Sequence, residues 1–313
     1  MNYYVCSHQH KGQPFFEALR ASYRTTSRKP DVALFDRDWY MHNDKKPRQI
    51  VIEYLEKGVT IMVYPHSALP PWWYDGLINI QPWVACVFVI SEGAKEAMKI
   101  IEPSVRVEAV GWPWCPQKEF QKPEKLKTIL FAPIHPSGRR LRPEALNANR
   151  MIFRELKRVA RWTSCKIVIR HLHELHLQGL RPYNRFHFVH GMADGSTKEI
   201  DEADVVIAEG TFMYSAVARG KPTIGINQHL PMRANKTCDK YTPHNWDKYG
   251  PSLAYPINFQ PGQLMEHIKL AISEEQTAWR EKFIGPSMDP KAFAELVESI
   301  WKEDKAKARH VSL

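Results

Sequence analysis

Ten short apolar runs, most of them rich in β-branched residues, alternate along this chain with amphipathic stretches of helical period. The runs are Tyr3–Ser7, Val32–Phe35, Thr60–Tyr64, Val84–Ile90, Arg106–Val110, Thr128–Ala132, Lys166–Ile169, Phe186–Val189, Val205–Ala208 and Thr223–Ile226. Such composition belongs to strands covered on both faces, and strands alternating with helices build parallel α/β sheets. Helices are expected at Phe15–Tyr23, Pro47–Lys57, Gly93–Ile101, Ala148–Trp162, Ser196–Glu202 and Phe212–Arg219. Two further segments, Gln263–Ser273 and Pro290–Trp301, space apolar residues by three and four. The final KEDKAKARHVSL lacks that periodicity and is expected to be disordered.

With 313 residues the chain exceeds what one ordinary core needs. The Pro- and Lys-rich Gly111–Lys127 separates two series of runs. The expected architecture is therefore α/β: two Rossmann-like domains facing across a cleft, residues 1–115 and 116–313, the second ending in a helical segment. No 20–50-residue repeat suggests a solenoid. Five cysteines (Cys6, Cys86, Cys115, Cys165, Cys238) without a Cys-x-x-Cys pair read as reduced thiols in a cytoplasmic protein. No signal peptide and no apolar run of membrane-spanning length is found, so membrane insertion is not expected.

Charge is unevenly placed. Of the 44 Lys/Arg and 34 Asp/Glu, residues 121–240 hold 21 and 11, so the surplus of ten there equals the net charge of the whole chain. A localised surplus points to a localised anionic partner.

Ligands of open α/β sheets bind beyond the carboxyl ends of strands, and every candidate site follows such an end. After the first run come His8 and His10, either of which could serve as a general base. After the third, His66 opens a stiff loop with Pro65, Pro70 and Pro71. The aromatics Trp72, Trp73 and Tyr74 there suit an acceptor platform for a sugar or a base. In Ile129–Pro143, Ser137, Gly138 and Arg139 offer small residues and forked donors to a phosphate. Arg170, with His171 or His173 beside it, is a second phosphate-binding candidate. His171, His173 and His176 lack a fourth metal ligand at suitable spacing, so a metal is not expected.

Residues 200–226 carry the clearest signal: strand, Glu209-Gly210-Thr211 turn, helix closed by Gly220, Lys221-Pro222, strand. With Thr211 as N-cap, its hydroxyl and the Phe212 and Met213 amides would hold an anion at the helix N-terminus. On the helix Ala148–Trp162, Arg150, Arg154, Lys157, Arg158 and Arg161 form a stripe opposite Ile152, Phe153, Leu156 and Val159, suited to a nucleic-acid backbone.

The order of these motifs resembles the GT-B glycosyltransferases, in particular the CDP-glycerol glycerophosphotransferase and UDP-GlcNAc 2-epimerase-like group. YPHSALP is similar to that group's Trp-His-Gly-Thr-Pro segment, which implies His66 as base. ILFAPIHP is similar to its Ile-Leu-Tyr-Ala-Pro-Thr segment, and VIRHLHEL to its Arg-Pro-His-Pro segment, which implies Arg170 with His171 or His173. ADVVIAEGTFMYSAVARGKPTI is similar to its Ala-Asp-x-x-Ile-(Ser/Thr)-Asp-x-Ser-Ser segment ending in Lys-Pro, which implies Glu209, Gly210 and Thr211. Glu209 replaces the usual Asp, Gly-Thr the paired Ser, and Ser67 the Gly after the base.

The resemblance implies metal-independent transfer of a sugar from a nucleotide-sugar, UDP-linked, to an acceptor hydroxyl, with no separate cofactor. The basic stripe adds the expectation of a DNA acceptor bearing a hydroxymethylated base, with Arg150, Arg154 and Arg158 on its backbone. Two alternatives are transfer of a polyol phosphate from a CDP donor and a non-catalytic nucleic-acid-binding module.

Overall fold

The computed structural model describes residues 1–6, 13–36, 45–64, 84–101, 104–111, 117–133, 143–171, 183–191, 198–226, 257, 259–273, 280–281 and 284–311. The chain divides into two compact units, 1–115 with 282–313, and 116–281.

In the first unit six parallel strands lie in the order β2-β1-β3-β4-β5-β6. They are β1 (Asn2–Cys6), β2 (Arg24–Thr25), β3 (Val32–Asp36), β4 (Thr60–Tyr64), β5 (Val84–Val89) and β6 (Val107–Ala109). The helices are α1 (Gln13–Ser22), α2 (Lys45–Glu56) and α3 (Glu92–Ile101). Period-two alternation serves both faces. Val32, Leu34, Met62 and Phe88 join one buried cluster, while Ala33, Phe35 and Ile61 join another with Val51 and Tyr54 of α2.

The C-terminal helix belongs to this unit, which corrects the sequence-based assignment to the second domain. This helix, α8 (Pro290–Val311), places Phe293, Val297 and Ile300 in the cluster of β1, β3, β4 and β5. Phe293 stacks on Phe15 at 4.3 Å and meets Phe88 edge-on at 5.1 Å. The expectation of a disordered end is also corrected, since α8 runs through Val311. Polar anchors replace the apolar stripe there: Thr60 Oγ1 donates to Asp304 Oδ2 at 2.6 Å, and Lys305 Nζ donates to the Gly58 carbonyl. At Gly111, φ is +77°, and a Cβ would run into the backbone of Pro286 and Ser287.

The second unit has five parallel strands in the order β11-β10-β7-β8-β9. They are β7 (Thr128–Phe131), β8 (Lys166–His171), β9 (Phe186–His190), β10 (Val205–Ala208) and β11 (Thr223–Gly225). The helices are α4 (Pro143–Thr163), α5 (Lys198–Glu202), α6 (Gly210–Ala218) and α7 (Leu264–Ala271). One face, with Ile129, Phe131, Ile167, Ile169, Val205 and Ile207, is covered by α4 and α7. The other, with Leu130, Val168, Val206 and Ala208, is covered by α5 and α6. Glu155 of α4, buried, accepts hydrogen bonds from the Gly262 N–H at 2.6 Å and the Leu264 N–H at 3.1 Å, and so caps α7. Among the described residues no helix is long and apolar enough to cross a membrane.

Candidate functional site

Strand order fixes where the second sheet opens to a ligand. The chain lays down β7, β8 and β9 outward in one direction, then returns to place β10 and β11 on the other side of β7. The order reverses between β7 and β10, and a doubly wound sheet offers its crevice beyond the carboxyl ends at that reversal. Ala132 closes the β7 side, its N–H donating to the Ile207 carbonyl at 2.9 Å. On the β10 side, α6 begins directly after the strand.

The start of α6 differs from the sequence expectation by two residues. Its N-cap is Glu209, extended at φ −115°, ψ 153°, and not Thr211. A helix capped there closes its first i→i−4 bond from the Met213 N–H to the Glu209 carbonyl. Met213 is therefore withdrawn as an anion donor, and its side chain is fully buried in the core. The donors left over at the helix end become the Gly210, Thr211 and Phe212 amides. Glu209 makes no side-chain capping hydrogen bond. Its side chain is one methylene longer than that of Asp, the residue favoured at N-caps.

The far end of α6 is fixed tightly, which sets the direction of the near end. Gly220 has φ +72°, and any Cβ there would collide with the Glu119 carbonyl. The Lys118 N–H donates to the Ala218 carbonyl and the Gln121 N–H to the Gly220 carbonyl, both at 2.8 Å. Asp201 gathers Lys118 and Arg219 at 3.1 Å, and its carbonyl accepts from Lys221 Nζ at 2.8 Å. Burial pushes the Lys221 ammonium below its ordinary value, against the opposing pull of Asp201 and Asp204.

Arg170 stands at the end of β8 on the α6 face of the sheet. Its guanidinium carbon lies 4.7 Å from the centre of the Phe212 ring, in the first turn of α6. Its Nε is 3.8 Å from Glu199 Oε2 of α5, an ion-pair distance beyond hydrogen-bond reach. On a third side is Gly191, after β9, where a Cβ would lie 2.6 Å from Arg170 Cζ. The Arg170 side chain is only 7% exposed. It is enclosed by Phe212, Glu199 and Gly191, and holds the first turn of α6 against β8. His171 points to the opposite face, with its ring 5.5 Å from that of His190 and 6.4 Å from that of Phe188. Arg170 and His171 are thus adjacent in sequence and divided by the sheet.

Sequence reasoning missed Glu199, Gly191 and the ring of Phe212, which no motif marks. Arg150, Arg154 and Arg158 are exposed on α4, across the sheet from α6, so they stand apart from this site. His8, His10, His66, Trp72, Trp73, Tyr74, Ser137, Gly138, Arg139 and His173 lie outside the described residues. Among the described residues no group of His, Cys, Asp and Glu could hold a metal ion.

Two solved structures carry the comparison. The glycosyltransferase SnogD from Streptomyces nogalater aligns over 95% of this chain and 99% of its own, with a TM-score of 0.53 and 10% identity. The wall teichoic acid polymerase TagF, as a variant soaked with CDPG, aligns over 96% and 89%, with a TM-score of 0.50 and 12% identity. The chain has the GT-B fold. At these identities the likeness speaks for the GT-B fold alone. No protein-family model and no curated protein sequence matches the chain.

Proposed function

We propose that this GT-B chain is a glycosyltransferase that moves a sugar from a nucleotide-sugar to an acceptor hydroxyl. One observation carries the reading: a helix N-terminus without a side-chain cap lies at the strand reversal of the second sheet, with Arg170 packed against its first turn. The GT-B architecture of glycosyltransferases such as SnogD supports it.

The donor diphosphate would lie on the Gly210, Thr211 and Phe212 amides. There the helix dipole favours each negative charge by roughly 0.3–2 kcal/mol. Ser137, Gly138 and Arg139, which follow β7 in sequence, and His173, which follows β8, would be its further ligands. The acceptor oxygen attacks the anomeric carbon as the bond from that carbon to the diphosphate breaks. His66, or in its place His8 or His10, takes the acceptor proton. The nucleoside diphosphate leaves with its charge held by the helix N-terminus and arginine, so the step calls for no metal. Trp72, Trp73 and Tyr74 would form the acceptor platform, and a hydroxymethylated base in DNA is the acceptor we propose.

A thermal-shift panel of UDP, CDP, GDP and ADP tests the donor. A matching nucleotide at one hundred times its Kd stabilises by about 2.7 kcal/mol. At roughly 2–4 °C per kcal/mol for a unit of this size, that raises Tm by about 5–11 °C. UDP is expected to give the largest shift. A CDP-only response would replace sugar transfer by transfer of a polyol phosphate, and no response to any nucleotide would end the transferase reading.

A further inference from the structure

The outward side of α4 carries charge of one sign. Arg150, Arg154, Arg158 and Arg161 are all exposed, and at about 100° per residue they fall within an arc of about 80°. Among the described residues none of them makes an ion pair. Glu155, which interrupts the series in sequence, is turned inward to cap α7 and leaves the outward charge undiluted. At the end of the row Trp162 is 75% exposed. We infer that this face of α4 is a docking surface for the backbone of double-stranded DNA, separate from the donor site and standing whether or not sugar transfer holds.

Three features select that occupant. The row spans twelve residues, or eleven helical rises, of about 16 Å in all. Successive phosphates of one DNA strand advance about 3.4 Å along the duplex axis, so the row faces about five of them. A single-stranded partner would ask for several exposed aromatics on which successive bases stack, and this row has one. An anionic membrane would ask for a free apolar side to enter the bilayer. The apolar side of α4, Ile152 through Ala160, is spent in the core.

Fluorescence anisotropy of a labelled 20-base-pair duplex, titrated with the full chain across salt concentrations, tests the surface. Four phosphate contacts predict a slope of log K against log salt of about −3.6, or a loss of roughly 150-fold between 50 and 200 mM salt. Arg154→Glu/Arg158→Glu should halve the slope to about −1.8 and weaken low-salt binding at least tenfold. Arg154→Gln/Arg158→Gln should give the same halved slope, which guards against a folding defect in the charge reversal. Trp162→Ala should weaken binding without changing the slope. Arg28→Glu/Lys29→Glu, an equal change of charge at exposed positions of the first unit, should leave both affinity and slope unaltered. The proposal is overturned by binding that does not depend on salt, by equal weakening in Arg28→Glu/Lys29→Glu, by tighter binding of the single strand, or by preferential binding to phosphatidylserine vesicles.

Discussion

Gly191→Ala isolates the role of Arg170 because it removes no charged group. The glycine backbone does not occupy the left-handed region, so the added methyl acts through space alone. That methyl would lie 2.6 Å from Arg170 Cζ, 2.7 Å from Nε and 2.9 Å from Cγ. Contacts from Cγ to Cζ cannot be relieved by swinging the guanidinium, so the whole side chain must leave the space between Gly191 and Phe212. The contact with the Phe212 ring goes with it, worth about 2 kcal/mol where desolvated. Overpacking adds about 1–3 kcal/mol. We expect the second unit to lose about 3–5 kcal/mol, a shift of roughly 1.5–2.5 M in the urea midpoint at a slope of about 2 kcal/mol per M. Hydrogen exchange at residues 210–218 should rise, and stabilisation by the nucleoside diphosphate should fall. In a double-mutant cycle, Gly191→Ala should add almost nothing to Arg170→Ala. A Gly191→Ala protein within 0.5 kcal/mol of the parent, or full additivity with Arg170→Ala, would refute the enclosure as the device that holds α6.

Phe293→Ala should destabilise the first unit by about 3–5 kcal/mol and leave the second unchanged, as read by hydrogen exchange in β4 and β10; the reverse pattern would return α8 to the second domain. Burial holds the His267 imidazole below its ordinary value, with Glu155 and Glu266 opposing, and its Nδ1 accepts from the Gln260 N–H at 3.4 Å. The unfolded chain then binds the extra proton first, so stability present above about pH 6.5 should decline as pH falls through the folded value. His267→Gln should flatten that decline in urea titrations between pH 7 and 5, and an unchanged slope would exclude His267 as its source. Burial pushes the Cys86 thiol up to about 12, so peptide mapping should find Cys86 unmodified by iodoacetamide at pH 8 until urea unfolds the first unit.

What the sequence revealed of the fold follows from how locally each element is encoded. Ten apolar runs were expected as strands and all ten are strands; several, such as β4 and β10, are buried at every position, so their apolar composition marks them whichever strands flank them. The missed strand, β2, is two exposed residues held by register with Asn2 and Tyr3, and so has no pattern of its own. The start of α4 at Pro143 was legible in principle, since proline suits a first helical turn. The placement of α8 was not. Its period of three and four says that one side is buried, yet nothing in the period says which core receives Phe293.

The candidate site divides along the same line. The position of α6 follows from local signals: a β-branched run, a turn, and Gly220-Lys221-Pro222. Its first residue does not, because Glu209 and Thr211 both satisfy a cap by type, and the choice rests on how the helix meets β10. Arg170 shows the stronger limit. Motif spacing drew it toward phosphate together with His171, but strand alternation sends neighbours to opposite faces. Arg170 therefore goes to Phe212, and His171 to His190 and Phe188. Its enclosure needs β9 beside β8, pairing Arg170 with Val189 and bringing Gly191 two residues further on. Three separate segments supply Phe212, Glu199 and Gly191, and only the assembled sheet makes them neighbours. An arginine buried in this way suits orientation of α6 better than direct neutralisation of an anion. On the proposed sugar transfer, the diphosphate would then meet the α6 amides, with Arg170 fixing where those amides point.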